Sequence, residues 1–237
     1  MSVGEEACDR VAAAFLEARR GARPLSVAER PTWLVDEGLG RRVAARIQSL
    51  LAAEDVTIAG IKLGAHDSRA QEAMGLSGAL VAPFFDAWFF PSGTHVPLAR
   101  LVQPKLECEV GFRRRGQSWE PIACIEIADS RLEWSGKGGE VFADFALHGA
   151  IISGSSLAMS ESVPFELRHN GTPVLSDVAP VSTALERTER CTQNLEASYV
   201  SSGALHPMID LTPGEWTLEF AGGGAATVTV DRTTDDD

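Results

Sequence analysis

The chain has 237 residues, 44% of them hydrophobic, enough for one domain with a sizeable core. Asp and Glu outnumber Lys and Arg by 33 to 21, for a formal net charge of −12, and basic clusters such as Arg41-Arg42 and Arg113-Arg114-Arg115 are short. This argues against a nucleic-acid partner, which needs a basic stripe, and no apolar run reaches the roughly 18 residues of a membrane span.

Cys8, Cys108, Cys124 and Cys191 are scattered, without disulfide-framework or zinc-site spacing. The first residues include Glu5, Glu6 and Asp9 rather than a basic stretch before an apolar core. Both features predict a cytoplasmic protein with reduced thiols and no secretory leader.

Apolar positions at helical spacing (Ala7, Val11, Ala14, Phe15, Ala18) predict an amphipathic helix over Val3–Arg20, broken by Gly21-Ala-Arg-Pro-Leu-Ser26. A second helix is predicted over Gly38–Ala53, with Val43, Ile47, Leu50 and Leu51 inward. Val56–Gly64 reads as a strand and His66–Gly75 as helical, while Ser77–Phe90 is apolar without a clear period. From Val96 the texture changes to strands and turns, with turn signals at Pro91-Ser-Gly, Arg115-Gly-Gln-Ser, Asn170-Gly-Thr-Pro and Thr212-Pro-Gly. Asn170-Gly171 predicts a tight hairpin. Further strands are expected over Ala146–Ser153, Trp216–Phe220 and Ala225–Val230, and a short helix or loop over Val181–Ala197. There is no internal repeat. The pattern is α+β: a helical region over 1–55, a strand-rich body over 56–230 and a solvated acidic tail over 231–237.

The most informative stretch is Leu101-Val-Gln-Pro-Lys-Leu-Glu-Cys-Glu-Val-Gly-Phe112. Alternation sends Leu106, Cys108 and Val110 to one strand face and Glu107 and Glu109 to the other. Such a pair can be a bare solvated face, or two ligands of a cation. A third carboxylate, Glu126, lies in the apolar run Pro121-Ile-Ala-Cys-Ile-Glu-Ile-Ala-Asp-Ser-Arg131, where it would be costly without a partner. Three carboxylates without thiolate or imidazole fit a hard ion, Mg²⁺ or Mn²⁺, with coordination positions left for water or substrate.

Val102-Gln-Pro-Lys-Leu-Glu-Cys-Glu-Val110 resembles the Gln-Pro-x-x-Glu-x-Glu segment of the 2-keto-4-pentenoate hydratases. These belong with the 4-oxalocrotonate decarboxylases to the fumarylacetoacetate hydrolase superfamily. Glu126-Ile-Ala-Asp-Ser-Arg131 resembles the family's Glu-x-x-x-Ser-Arg segment, and Gly60-Ile-Lys-Leu-Gly64 its Gly-x-Lys-x-Gly strand. Tyr199-Val-Ser-Ser-Gly-Ala-Leu205 and Leu211-Thr-Pro-Gly-Glu-Trp-Thr-Leu-Glu-Phe220 are similar to its Thr-Gly and Pro-Gly-Asp segments. The likeness runs from about Ala18 to Val230.

The resemblance implies a mixed β-roll body and an enzyme binding Mg²⁺ or Mn²⁺ through Glu107, Glu109 and Glu126. Lys62 takes the position of the active-site lysine, and Ser202 with Gly203 that of the substrate-contacting Thr-Gly pair. Such a site stabilises the enolate of a 2-oxo acid, a step shared by hydration, decarboxylation, tautomerisation and carbon–carbon hydrolysis. It implies a homo-oligomer, in some cases complexed with a pathway enzyme. A hydratase-like lyase acting on an enolisable 2-oxo acid or related dicarbonyl is the leading expectation; the alternatives are the other reactions of that platform and a non-catalytic partner subunit.

Three departures are visible. Aligning Asp86 with the later acid of the family's Pro-Asp-aromatic-Gly region leaves Ala79-Leu80-Val81 without the earlier one. The family's Asp-Asn-x-Ser run reads Asp144-Phe145-Ala146-Leu147, and its Gly-His-Pro signature is missing between Thr172 and Ala197. The metal side is kept and the substrate side is more apolar, which argues against assuming the usual hydratase substrate. His66 and His148 are near the motifs and are candidates for proton transfer. Serine-nucleophile hydrolysis is disfavoured because no Gly-x-Ser-x-Gly occurs.

Overall fold

The strand-rich texture after residue 56 folds into two sheets, and the two helical stripes of the first 55 residues cover one of them. The computed structural model describes residues 3–193 and 195–231. Of the acidic tail expected over 231–237, only Asp231 is among them; 232–237 lie outside the described residues. Those residues form five α-helices: α1 Glu5–Arg20, α2 Glu37–Ala52, α3 Ser68–Met74, α4 Gly139–Ala143 and α5 Val181–Thr192. The strands are β1 Ile58–Gly64, β2 Leu80–Phe85, β3 Phe89–Pro91, β4 Thr94–Pro97, β5 Lys105–Arg115, β6 Ser118–Ala128 and β7 His148–Ser156, then β8 Val163–His169, β9 Thr172–Ala179, β10 Tyr199–Ser201, β11 Ile209–Asp210, β12 Gly214–Phe220 and β13 Ala225–Asp231. Among these residues no helix is long and apolar enough to cross a membrane.

The larger sheet runs β2-β1-β10-β5-β6-β7-β3, with β11 also pairing β5; the smaller runs β4-β13-β12-β8-β9. Their facing surfaces share one apolar core. Leu106, Cys108, Val110 and Phe112 of β5 enter it together with Trp216 and Leu218 of β12 and Val228 of β13. A one-residue slip of β5 would turn its four apolar side chains outward at about 1.5–3 kcal/mol for each large one. That penalty pins Glu107 and Glu109 to the opposite face.

On that opposite face the N-terminal helices form a second core. Cys8, Val11, Phe15 and Leu16 of α1 meet Val43, Ile47 and Leu51 of α2, with Leu132 and Phe145 from the body. Asp36 caps α2 by accepting the Leu39 N–H at 2.9 Å. Helices α2 and α4 cross so closely that a Cβ on Gly40 would meet the Gly139 carbonyl oxygen at 2.0 Å.

The segment without a clear period, Ser77–Phe90, holds β2, a 3-10 turn over Asp86–Trp88 and part of β3. Leu80, Ala82, Phe84 and Phe85 are all buried, so the strand shows no simple polar alternation. Asn170 and Gly171 turn the β8–β9 hairpin with φ of 52° and 75°, as the primed turn requires. Within Val181–Ala197, α5 ends at Thr192. The strand expected from Ala146 starts at His148, because Phe145, Ala146 and Leu147 form a left-handed turn with φ of 54°, 54° and 64°.

Candidate metal and substrate site

Glu107 of β5 is the direct antiparallel partner of Glu126 on β6, and Glu109, one pleat repeat along, partners Cys124. All four side chains share the sheet face turned away from the inter-sheet core. One carboxylate oxygen from each glutamate lies within 4.8 Å of the other two. Glu109 and Glu126 are fully buried, and Glu107 is half-buried.

The partners of these carboxylates are uneven. Glu109 Oε2 accepts hydrogen bonds from Ser201 Oγ and from the Gly203 N–H, the latter at 3.1 Å. Glu126 Oε1 accepts from Lys62 Nζ. The second oxygens, Glu109 Oε1 and Glu126 Oε2, are buried with no hydrogen-bond partner, a costly state for a carboxylate. Burial and the charges of Glu126 and Glu107 push Glu109 well above the usual carboxylate range. Burial and Glu126 raise Glu107 to about 7, against the pull of Lys62. Three carboxylates facing one ammonium leave two negative charges, which one divalent ion neutralises. The all-oxygen donor set suits Mg²⁺ or Mn²⁺.

Lys62 sits on β1, in parallel register with Ser201 of β10 and antiparallel to Ala82 of β2. It is buried, and its Nζ also donates to the Ala146 carbonyl at 2.9 Å. Burial penalises its ammonium, but Glu126, Glu107 and Glu109 outweigh that and raise its pKa. Lys62 is therefore held charged.

The Ala146 carbonyl is presented by the left-handed turn, which a buried ion cluster holds. Arg131 is fully buried; its Nε donates to Asp144 Oδ1 at 2.5 Å, and another nitrogen to Asp129 Oδ2 at 3.2 Å. Asp129 Oδ1 accepts the N–H groups of Val102 and Gln103 at 2.9 and 2.8 Å, tying the Gln-Pro segment to the end of β6. Burial opposes Arg131 and leaves the Asp144 carboxyl at about 6. Arg19 of α1 stacks on Trp88 at 3.6 Å and donates to the Gly149 carbonyl at 2.7 Å.

A cavity of about 750 Å³ opens beside this centre. Lys62, Glu107 and His66 line it, with Leu80 and Leu147 on one side and Arg187 on another. His66 Nε2 and Arg187 each lie 3.0 Å from the Ser202 carbonyl oxygen. Burial and Arg187 bring His66 down to about 4, so it is neutral. Gly203 has φ of +96°, and a Cβ there would meet His66 Nε2 at 2.4 Å. Only glycine lets the chain bring its N–H to Glu109 at this point.

Several expected site residues are elsewhere. Ser202 is fully buried, does not line the cavity, and its Oγ has no hydrogen-bond partner. Its neighbour Ser201 faces Glu109, because alternation along β10 puts Tyr199 and Ser201 on the glutamate face and Val200 and Ser202 on the other. His148 is fully buried, does not line the cavity, packs beside Phe84 and Trp88, and has no partner on either ring nitrogen. Burial and Arg19 hold its pKa well below the histidine range. Asp86 is exposed and accepts hydrogen bonds from Thr57 N and Oγ1 at 3.0 and 2.6 Å, fixing the start of β1. Phe145 turns toward the helices, edge-on to Phe85 and Trp88. Residues not anticipated are Ser201 and Arg187, the latter lining the cavity together with His206. Period-two alternation through Tyr199–Ser201 was the available signal for Ser201; α5 offered none for Arg187.

No family model matches the chain. It is 27% identical over 188 residues to the 2-keto-4-pentenoate hydratase of Paraburkholderia xenovorans (strain LB400), covering 67% of this chain and 70% of the relative. The enzyme of the same name from Paraburkholderia phymatum is 25% identical over 207 residues, covering 74% and 79%. Among solved structures, 4-oxalocrotonate decarboxylase from Pseudomonas putida G7, complexed with magnesium and adipate, superposes with a TM-score of 0.82 at 18% identity over 97% of this chain and 99% of that one.

Proposed function

Because the chain is a divergent member of the 2-keto-4-pentenoate hydratase and 4-oxalocrotonate decarboxylase family of the fumarylacetoacetate hydrolase superfamily, we propose that it is a divalent-metal-dependent, hydratase-like lyase acting on an enolisable 2-oxo acid or related dicarbonyl. The observation that carries this reading is the pair of buried, unpartnered oxygens on Glu109 and Glu126, beside the cavity-facing Glu107. These three glutamates would hold Mg²⁺ or Mn²⁺. Bound there, the ion supplies Lewis-acid stabilisation of negative charge on the substrate's ketone oxygen as it enolises.

Ser201 and Gly203 anchor one oxygen of Glu109 and leave the other free for the ion. Lys62, kept charged by Glu126 and aimed by the Ala146 carbonyl, holds the proton that is delivered to the substrate or recovered from it. Leu80 and Leu147 exclude water from the adjoining wall.

Calorimetric titration with Mg²⁺ and Mn²⁺ tests the centre. Wild type binds one ion per chain, and Glu109→Gln binds it more weakly and loses turnover with its fold intact. Equal binding by the two proteins refutes it. Product analysis with 2-hydroxypenta-2,4-dienoate, a 4-oxalocrotonate and an acylpyruvate then assigns the reaction. A second reading, decarboxylase or tautomerase, is favoured by the apolar side chains of Leu80, Ala146 and Leu147 next to Lys62. Those reactions need no side chain there to direct an added water.

A further inference from the structure

On the side of Lys62 formed by Leu80, Ala146 and Leu147 the cavity wall is hydrocarbon, while His66, Asp67 and His206 line it elsewhere. Ala82 is the register partner of Lys62, and Leu80 lies two residues along β2 on the same face, opposite Gly64. Leu147 follows the residue whose carbonyl receives the Lys62 ammonium. Leu80, Ala146 and Leu147 belong to one apolar cluster, with Met74 and Ala65 packed against it. A cavity of about 750 Å³ far exceeds the carboxylate and keto group that a metal centre would chelate, and falls in the range that holds drug-sized ligands, roughly 300–1,000 Å³.

The backbone here is strained toward that wall. Phe145, Ala146 and Leu147 are three successive non-glycine residues with positive φ, a conformation that L side chains disfavour. Arg131 enforces it through Asp144, donating to the Asp144 carboxylate and, at 3.0 Å, to its carbonyl. Lys62 needs only a carbonyl from this turn, which glycine or asparagine would supply without strain. The leucine adds an apolar surface facing the cavity. Strain held by surrounding structure points to a functional constraint.

We infer that Leu147 and Leu80 form a specificity wall that selects a 2-oxo acid carrying an apolar alkyl or aryl substituent. This rests on the metal-chelate reading of the glutamate centre. The opposing possibility is a substrate with a second anionic group, since Arg187 and Arg69 also line the cavity. Arg187, however, commits an N–H to the Ser202 carbonyl, and Arg69 is exposed.

The test uses the Mn²⁺-loaded protein and calorimetry with pyruvate, 2-oxobutanoate, 2-oxopentanoate, 2-oxohexanoate, phenylpyruvate and 2-oxoadipate. Affinity should rise about fourfold per added methylene, and 2-oxohexanoate should bind more tightly than 2-oxoadipate. Leu147→Asn, an exchange the left-handed backbone tolerates, should flatten the series, and Leu80→Asn is the independent second variant. A flat series in the parent protein, or tighter binding of 2-oxoadipate, overturns the wall. Failure of Mn²⁺ to bind, or of every 2-oxo acid to bind the loaded protein, overturns the chelate reading and the wall with it.

Discussion

Glu107 and Glu126 stand directly opposite each other across the β5–β6 ladder. Like charges in that relationship destabilise a sheet, and here Glu126 is fully buried. Lys62 relieves one of the charges, and a divalent ion would relieve the rest. The fold carries an electrostatic cost at this site, and on the proposed metal reading its behaviour should follow from that.

Metal affinity should fall as the pH drops through neutrality. Glu107 is raised from 4.5 to about 7 in the metal-free protein, and an ion must displace that proton. Below about pH 7 the affinity should drop by at least about tenfold per pH unit, because Glu107 and the still more strongly raised Glu109 both give up protons to the ion. The linkage has a definite sign. A carboxyl raised in the folded state contributes stability that is present below its unfolded value near 4.5 and lost as pH rises through about 7. The stabilisation by Mn²⁺ over chelator-treated protein should grow between pH 5.5 and 8.5 in thermal melts; a constant difference would count against it.

Ser201→Ala and Ser202→Ala should part company. Ser201 orients Glu109, and loss of such an outer contact lowers metal affinity roughly 10- to 100-fold. The Ser202 hydroxyl is buried without a partner, so its removal should leave metal affinity in place and protein stability equal or better. Titration calorimetry on the two variants decides.

Lys62→Met should separate binding from chemistry. The variant removes the only ammonium at the centre, so the ion is held at least as tightly while turnover is lost. Without metal, Glu126 is left buried and unpaired, at a cost of about 3–5 kcal/mol. Chemical denaturation with and without Mn²⁺ should show most of that loss recovered by the ion.

Arg131→Met should destabilise the protein by about 3–5 kcal/mol, because Asp144 and Asp129 lose a fully buried partner. It should also release the 145–147 turn, seen as faster amide exchange at Asp129, whose N–H bonds the Leu147 carbonyl at 2.8 Å. Unchanged exchange there would show that the turn is held by other contacts.

What the sequence determined by itself is local and periodic. Alternation through Leu106–Val110 assigned Glu107 and Glu109 to one strand face, because neighbouring side chains on an extended chain point opposite ways whatever surrounds them. The apolar company of Glu126 and the helical stripes of α1 and α2 were legible for the same reason. The ordered motifs carried the family resemblance and the position of Lys62. Tertiary structure alone decided which groups meet. Ser201 rather than Ser202 reaches Glu109 because β10 inserts between β1 and β5 in one register, and a shift of one residue would exchange them. Asp86 left the site because β2 carries it to the far end of β1, beside Thr57. The left-handed turn at 145–147 had no glycine to announce it; its conformation comes from Arg131 and Asp144, ions that can be buried only when the folded chain supplies each with the other.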